Sequence, residues 1–408
     1  MTTAGHRRQR LQRVTEHASV TPLELFFDLV FVFALTQITA LMAEDPTARG
    51  VIRGLLILAV LWWSWVGYAW LGNVVRADEG VTRLAMFGAM TALFVIALAI
   101  PEAFEDLPGG LPGPVVSAVG YFLVRLAHLC MFLAASRTDP GLRRQVIKFT
   151  PSVLVATSLL LIASQLSGSA QILVWAAALL ADLGGTMLAG ASGWRVNSAA
   201  HFAERHALIL IVALGESIVS IGIGVAELPI SWPIVAASVL GLVLSGALWW
   251  SYFDTKSIAA EHALGTARGE HRARLARDGY SYLHLPMIAG IILLSLGLKK
   301  VLGYVGGEDD HVLSDQLYGL PLIALYGGVS LYLLAHAAFI RRLIGVLSLS
   351  RLLLAAGLLA GIPIAAELPA LVSLAALSAA VAVGVGLDSW RHADVREDIR
   401  HHDEPPPA

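Results

Sequence analysis

Glu24 and Asp28 stand four residues apart in Glu24-Leu-Phe-Phe-Asp28-Leu-Val-Phe, a run that is otherwise apolar. Glu216 lies deep in a second apolar stretch, within Ala213-Leu-Gly-Glu216-Ser217, and Asp182 lies in a third. A carboxylate kept from water is costly unless it is paired, protonated or hydrated, so these acids call for partners. Bases in similar surroundings are available: Arg125 and His128 share one apolar run, and His284, His336 and Arg351 occupy three others. The segment His201-Phe-Ala-Glu204-Arg205-His206 adds further candidates, and Gln37 and Ser217 supply neutral polar groups. Histidines and carboxylates whose surroundings adjust their charge suit a pathway that passes protons or cations. The competing expectation is structural, with the same residues forming ion pairs that fix helix packing.

Helical geometry says which of these residues share a face. Glu24 and Asp28 do, and a carboxylate in a first turn is favoured by the helix dipole, which accounts for Glu24 better than for the deeper Asp28. Glu216 falls about 14 residues into its stretch, roughly 20 Å deep at 1.5 Å per residue, and no side chain reaches water from there. Asp182 reaches a similar depth. Arg205 and Glu216 are eleven residues apart, about 20° around a helix, so they define one polar stripe. His201 and His206 are about 140° apart on a helix, which argues against a shared metal ion. No metal or other cofactor is expected, and no G-x-x-x-x-G-K-[ST] loop for nucleotide is present.

The elements that must carry these residues are membrane helices. The chain is 57% hydrophobic and 14% charged, far from the balance of a soluble domain. Its basic residues fall in short loops and form no continuous face, which excludes nucleic acid as a partner. The one cysteine, Cys130, allows no intramolecular disulfide. Twelve spans are expected, at 22–43, 51–72, 82–101, 114–136, 146–165, 170–191, 202–225, 231–253, 280–300, 317–340, 343–362 and 367–387. Only helices can satisfy their own backbone in lipid, so the expected fold is an all-α integral membrane protein. With the N-terminus inside, 22 of the 28 Lys and Arg residues lie on the cytoplasmic side, which predicts cytoplasmic termini in the bacterial inner membrane. The connection from Asp254 to Arg277 is expected to be a solvated linker, and the Trp runs at 62–65 and 249–250 to anchor helices at the membrane surface.

The two halves echo each other. Ala34-Leu-Thr-Gln37 matches Ala213-Leu-Gly-Glu216, Trp62-Trp-Ser-Trp65 matches Trp249-Trp-Ser-Tyr252, and Leu126-Ala-His128 matches Leu334-Ala-His336. This predicts a tail at 1–21, parallel six-helix repeats at 22–191 and 192–388, and a disordered tail at 389–408.

The segments Glu24 to Gln37, His201 to Ser217 and Tyr280-Ser-Tyr-Leu-His284-Leu-Pro286 resemble those of the bacterial low temperature requirement A (LtrA) family, along nearly the whole chain. That resemblance implies a multi-pass inner-membrane protein and no established substrate. Phe27-Asp28-Leu-Val-Phe31 also resembles the Phe-Ser-Asp segment of the endolysosomal potassium and proton channel family, although Phe replaces Ser here and Ala207 or Leu208 stands where a second Asp would fall. The leading expectation is a proton-coupled transporter of a small solute or ion. The alternatives are a gated cation channel and a membrane-embedded enzyme acting on lipid. Expected partners are membrane lipids and the transported species, and a homo-oligomer is compatible with the sequence.

Overall fold

The computed structural model describes residues 14–16, 18–226, 228–254 and 256–391, apart from the side chain at 309. In chain order the helices are α1 (Pro22–Glu44), α2 (Ala48–Val74), α3 (Gly80–Leu98), α4 (Gly113–Ala135), α5 (Pro140–Ala163), α6 (Gly168–Ala189) and α7 (Ala199–Val225). They continue as α8 (Trp232–Phe253), α9 (Lys256–Thr266), α10 (Gly269–Leu275), α11 (His284–Gly306), α12 (Leu320–Ile344), α13 (Leu349–Ala365) and α14 (Ala370–Arg391). Among the described residues there is no strand, and eleven helical stretches are long and apolar enough to cross a bilayer. Leu349–Ala365 is a shorter apolar helix. The protein is therefore an all-α multi-pass membrane protein, with helices within a few residues of the expected spans.

Helix boundaries follow from local chemistry. The Asp139 side chain accepts the Leu142 N–H at 3.0 Å and caps α5, with Pro140 at the first helical position. Gly345, with φ of +81°, ends α12 in the left-handed conformation that a side chain would oppose.

The contacts divide the chain into two compact units. Unit 1 holds the residues up to Ala34, Ala59–Arg205 and Arg268–Arg274, and unit 2 holds Leu35–Leu58, His206–Ala267 and the chain from Leu275 onward. Within unit 1, α3 packs on α4 and α5 on α6. Within unit 2, α11 packs on α12 so closely that a Cβ added at Gly290 would stand 2.5 Å from the Gly328 carbonyl oxygen. Small residues that let backbones touch are the usual means of joining helices in lipid, where apolar burial alone gives no preference for protein over acyl chains.

Two expectations are corrected. The connection after Asp254 is not a solvated linker: it forms α9 and α10, which bury Ala260, Leu264, Ala273 and Leu275. Trp62, Trp63 and Trp65 are not surface anchors, because all three are buried in the middle of α2, whereas Trp249 and Trp250 are exposed on α8. Of the expected C-terminal tail, Ser389 to Arg391 complete α14, and 392–408 lie outside the described residues, as do 1–13 of the expected N-terminal tail.

Candidate functional site

Three polar clusters occupy the interior, and each lies within one unit. In the first, α7 meets α1 and α2 in unit 1. Arg205 donates two hydrogen bonds to the Asp28 carboxylate, at 2.9 and 3.0 Å, a bidentate arrangement that suits the planar guanidinium. Trp65 Nε1–H donates to Asp28 at 2.8 Å, and the guanidinium lies 5.3 Å from the centre of the Trp65 ring. One turn earlier, His201 Nε2 is 3.1 Å from Glu24, whose carboxylate also takes the backbone N–H and hydroxyl of Thr21 at 2.9 and 3.0 Å. Gly72 makes room for Glu24, since a Cβ there would stand 2.5 Å from Oε1. Asp28, Glu24, Arg205 and His201 are all buried.

The second cluster joins α4 to α6. Arg125 pairs with Asp182 at 2.8 Å, and the Tyr121 hydroxyl donates to the other oxygen of the same carboxylate. His128 is not part of this pair. Its Nε2 lies 3.1 Å from the Gly67 carbonyl oxygen, and its ring packs on Tyr68 at 5.6 Å.

The third cluster, in unit 2, surrounds Glu216. Its carboxyl takes the Thr36 hydroxyl at 2.5 Å and the Ser220 hydroxyl at 2.8 Å, and it has no ion pair among the described residues. The side chain is fully buried, nine residues before the end of α7. Ser217, next to it, bonds to Ser245 on α8 at 2.7 Å.

The remaining expected residues are distributed differently. His206 and His284 pack edge to face at 5.3 Å in unit 2, His284 Nε2 lies 3.0 Å from the Tyr252 hydroxyl, and His336 packs on Tyr252 at 5.5 Å. A π-helical segment, Ala276–Tyr282, precedes α11, and its wide turn leaves the Gly279 carbonyl 3.3 Å from His284 Nδ1. Neither His284 nor His336 meets a carboxylate among the described residues. Arg351 lies in the first turn of α13, where it pairs with Asp388 of α14 at 2.9 Å and not with an intramembrane acid. Glu204 is exposed and accepts the Val20 N–H at 3.2 Å. Gln37 is half-buried and makes no hydrogen bond among the described residues. The residues that serve Glu216 are Thr36 and Ser220, which the sequence does not single out. No group of histidine, cysteine and acidic residues suited to a metal ion occurs among the described residues.

The Asp28, His201 and Arg205 contacts tie together two of the segments that carry the family resemblance, and comparison with known proteins agrees. The model of the family described as bacterial low temperature requirement A protein (LtrA) matches residues 19–386. An uncharacterized protein of Rhizobium meliloti (strain 1021) is 30% identical over 327 residues, covering 77% of each chain. No solved structure matches. A family match over almost the whole length, on a helical membrane fold, places this chain in the bacterial low temperature requirement A (LtrA) family.

Proposed function

We propose that the protein is a proton-coupled transporter of a small solute or ion, with Glu216 as the group that takes up and releases the proton. The observation that carries this reading is the contrast between the buried acids. Asp28 is held by Arg205 and Trp65, and Asp182 by Arg125 with the Tyr121 hydroxyl, so each of these acids has a guanidinium in direct contact that favours its ionised form. Glu216 takes hydrogen bonds from hydroxyls alone, with Lys299 acting on it only at a distance, and a hydroxyl donates to a carboxylate but accepts from a carboxylic acid. Both charge states of Glu216 therefore find hydrogen bonds without repacking, as a repeatedly titrating group requires. An ionisable residue in the middle of a membrane helix is by itself a marker of such a path.

The duplication is part of the same reading. It takes the chain as two copies of one six-helix element, on the sequence echoes that set Trp62-Trp-Ser-Trp65 beside Trp249-Trp-Ser-Tyr252 and His128 beside His336. Both termini are assigned to the cytoplasm on the distribution of basic residues.

The test is proton flux into proteoliposomes holding wild type, Glu216→Gln or Glu216→Asp, under potassium and sodium gradients in turn. Glu216→Gln is expected to keep its melting temperature and lose proton flux, and Glu216→Asp to keep part of it. Proton flux at the wild-type rate in folded Glu216→Gln refutes the assignment. Ion flux that persists without proton movement favours a channel.

A further inference from the structure

Glu24, Asp28 and Arg205 bring two negative charges and one positive charge into the interior of unit 1, and His201 adds none. Asn73 decides the last point. Its Oδ1 accepts the backbone N–H groups of Asn197 at 2.7 Å and Ser198 at 3.2 Å, so Nδ2 is the group that faces His201 Nδ1 at 3.2 Å. An amide NH2 only donates, so His201 Nδ1 accepts and the ring proton sits on Nε2, from which it is donated to Glu24 Oε2. All the hydrogen bonds to Glu24 fall on Oε2. Oε1 takes none among the described residues, and its nearest cationic atom is Arg205 Nε at 3.9 Å. A proton on Oε1 would likewise have no acceptor, so the geometry suits an ionised Glu24. The cluster keeps one negative charge in excess, although Glu24 and Asp28 are each only 2% exposed. Buried charge in this condition calls for a counter-charge.

A cavity of about 430 Å³ adjoins that charge. It is lined by the buried Glu24 and His201, by the exposed Ser19, and by Gly72, Arg76 and Asp78. Arg76 does not balance Glu24, because it is already shared between Asp78 and Glu79, each at 3.2 Å. The space is of the size that small organic ligands occupy, about 300–1,000 Å³, and far exceeds the roughly 30 Å³ of a water molecule. Apolar side chains, among them Val14, Val20 and Pro22, line the remainder.

We propose that this cavity binds a small organic ammonium ion, with the N–H groups directed at Glu24 and the hydrocarbon part against the apolar wall. The site stands whether or not Glu216 exchanges protons, since the two lie in different units and share no residue.

The test is isothermal titration calorimetry of the purified full-length protein with n-butylammonium chloride, n-butyramide, potassium chloride and sodium chloride. Butylammonium is expected to bind at one equivalent and the neutral butyramide not to bind. Glu24→Gln is expected to weaken butylammonium at least tenfold. Ser19→Trp, which fills the cavity from its exposed side and leaves the ion cluster intact, is expected to abolish binding without changing the melting temperature, and it keeps the test decisive if Glu24→Gln does not fold. Equal binding of amine and amide, or binding that survives Ser19→Trp, overturns the proposal. Saturable potassium or sodium binding that depends on Glu24, without amine binding, assigns the excess charge to an inorganic ion and overturns it too.

Discussion

Substitutions in the Glu24, Asp28 and Arg205 cluster are predicted to rank by the charge they leave behind. Arg205→Gln strands two carboxylates and removes both bonds to Asp28, and breaking a buried ion pair from one side costs about 3–5 kcal/mol. Asp28→Asn leaves Arg205 with Glu24 at 3.9 Å and the Trp65 ring at 5.3 Å, and the cluster becomes neutral. Its cost should be nearer that of lost charge-assisted hydrogen bonds, about 1.5–3 kcal/mol. Glu24→Gln keeps an oxygen for the donors of Thr21 and His201 and should cost less than about 1 kcal/mol. The double variant Arg205→Gln with Asp28→Asn removes the stranded charge on Asp28. It should be less destabilised than the sum of the single variants, with a coupling of about 0.5–3 kcal/mol. The assay is reversible unfolding in mixed micelles followed by circular dichroism. If Asp28→Asn costs as much as Arg205→Gln, or if the double variant is additive, the charge argument fails.

Gly67→Ala would place a Cβ 2.9 Å from His128 Nε2 and push the imidazole off the Gly67 carbonyl, at a cost of about 1–3 kcal/mol. Adding His128→Ala should recover part of that loss, which thermal melts of the single and double variants will show. At Asp139, partial burial works against ionisation, but the Leu142 N–H and Arg195 outweigh it and hold the carboxyl below the usual range. Its contribution is therefore complete above the unfolded value near 4 and is lost as pH falls through the lower folded value. Asp139→Asn keeps the cap, because an amide oxygen accepts the Leu142 N–H as well, so it should cost less than about 1 kcal/mol at neutral pH through the lost charge beside the half-exposed Arg195, and the gap to wild type should close in acid.

How far the interior could be read from the sequence depended on the kind of signal. Long apolar runs have one outcome in lipid, so α1 to α8 and α11 to α14 were legible to within a few residues. Asp28, Arg205, Asp182 and Arg125 were legible because charge stands out against such runs. Which acid meets which base was not, since that depends on how each helix is rotated. Gln37 stands out in the sequence by its amide, yet Thr36, about 100° around the same helix, is the residue that reaches Glu216. Threonine and serine in α1 and α7 give no signal of their own, because such hydroxyls often bond to a carbonyl of their own helix, as Ser217 does to that of Leu214. The short helices α9 and α10 were hidden by their polar composition.

The π segment before α11 also has a meaning for alignment. Its i to i+5 bonding, seen in the Leu283 N–H to Asp278 carbonyl bond of 3.3 Å, is equivalent to one surplus residue in a helix. Deleting any one residue of 276–282 would restore the ordinary ladder and turn everything upstream by about 100° relative to His284. Tyr280 and His284, stacked at 5.4 Å, would still be three or four residues apart and keep a common face, whereas Ala273 and Leu275, buried upstream, would be turned away from it. A one-residue gap at this point in a relative therefore marks a protein whose α10 has been turned about the helix axis, even where Tyr280 and His284 are retained.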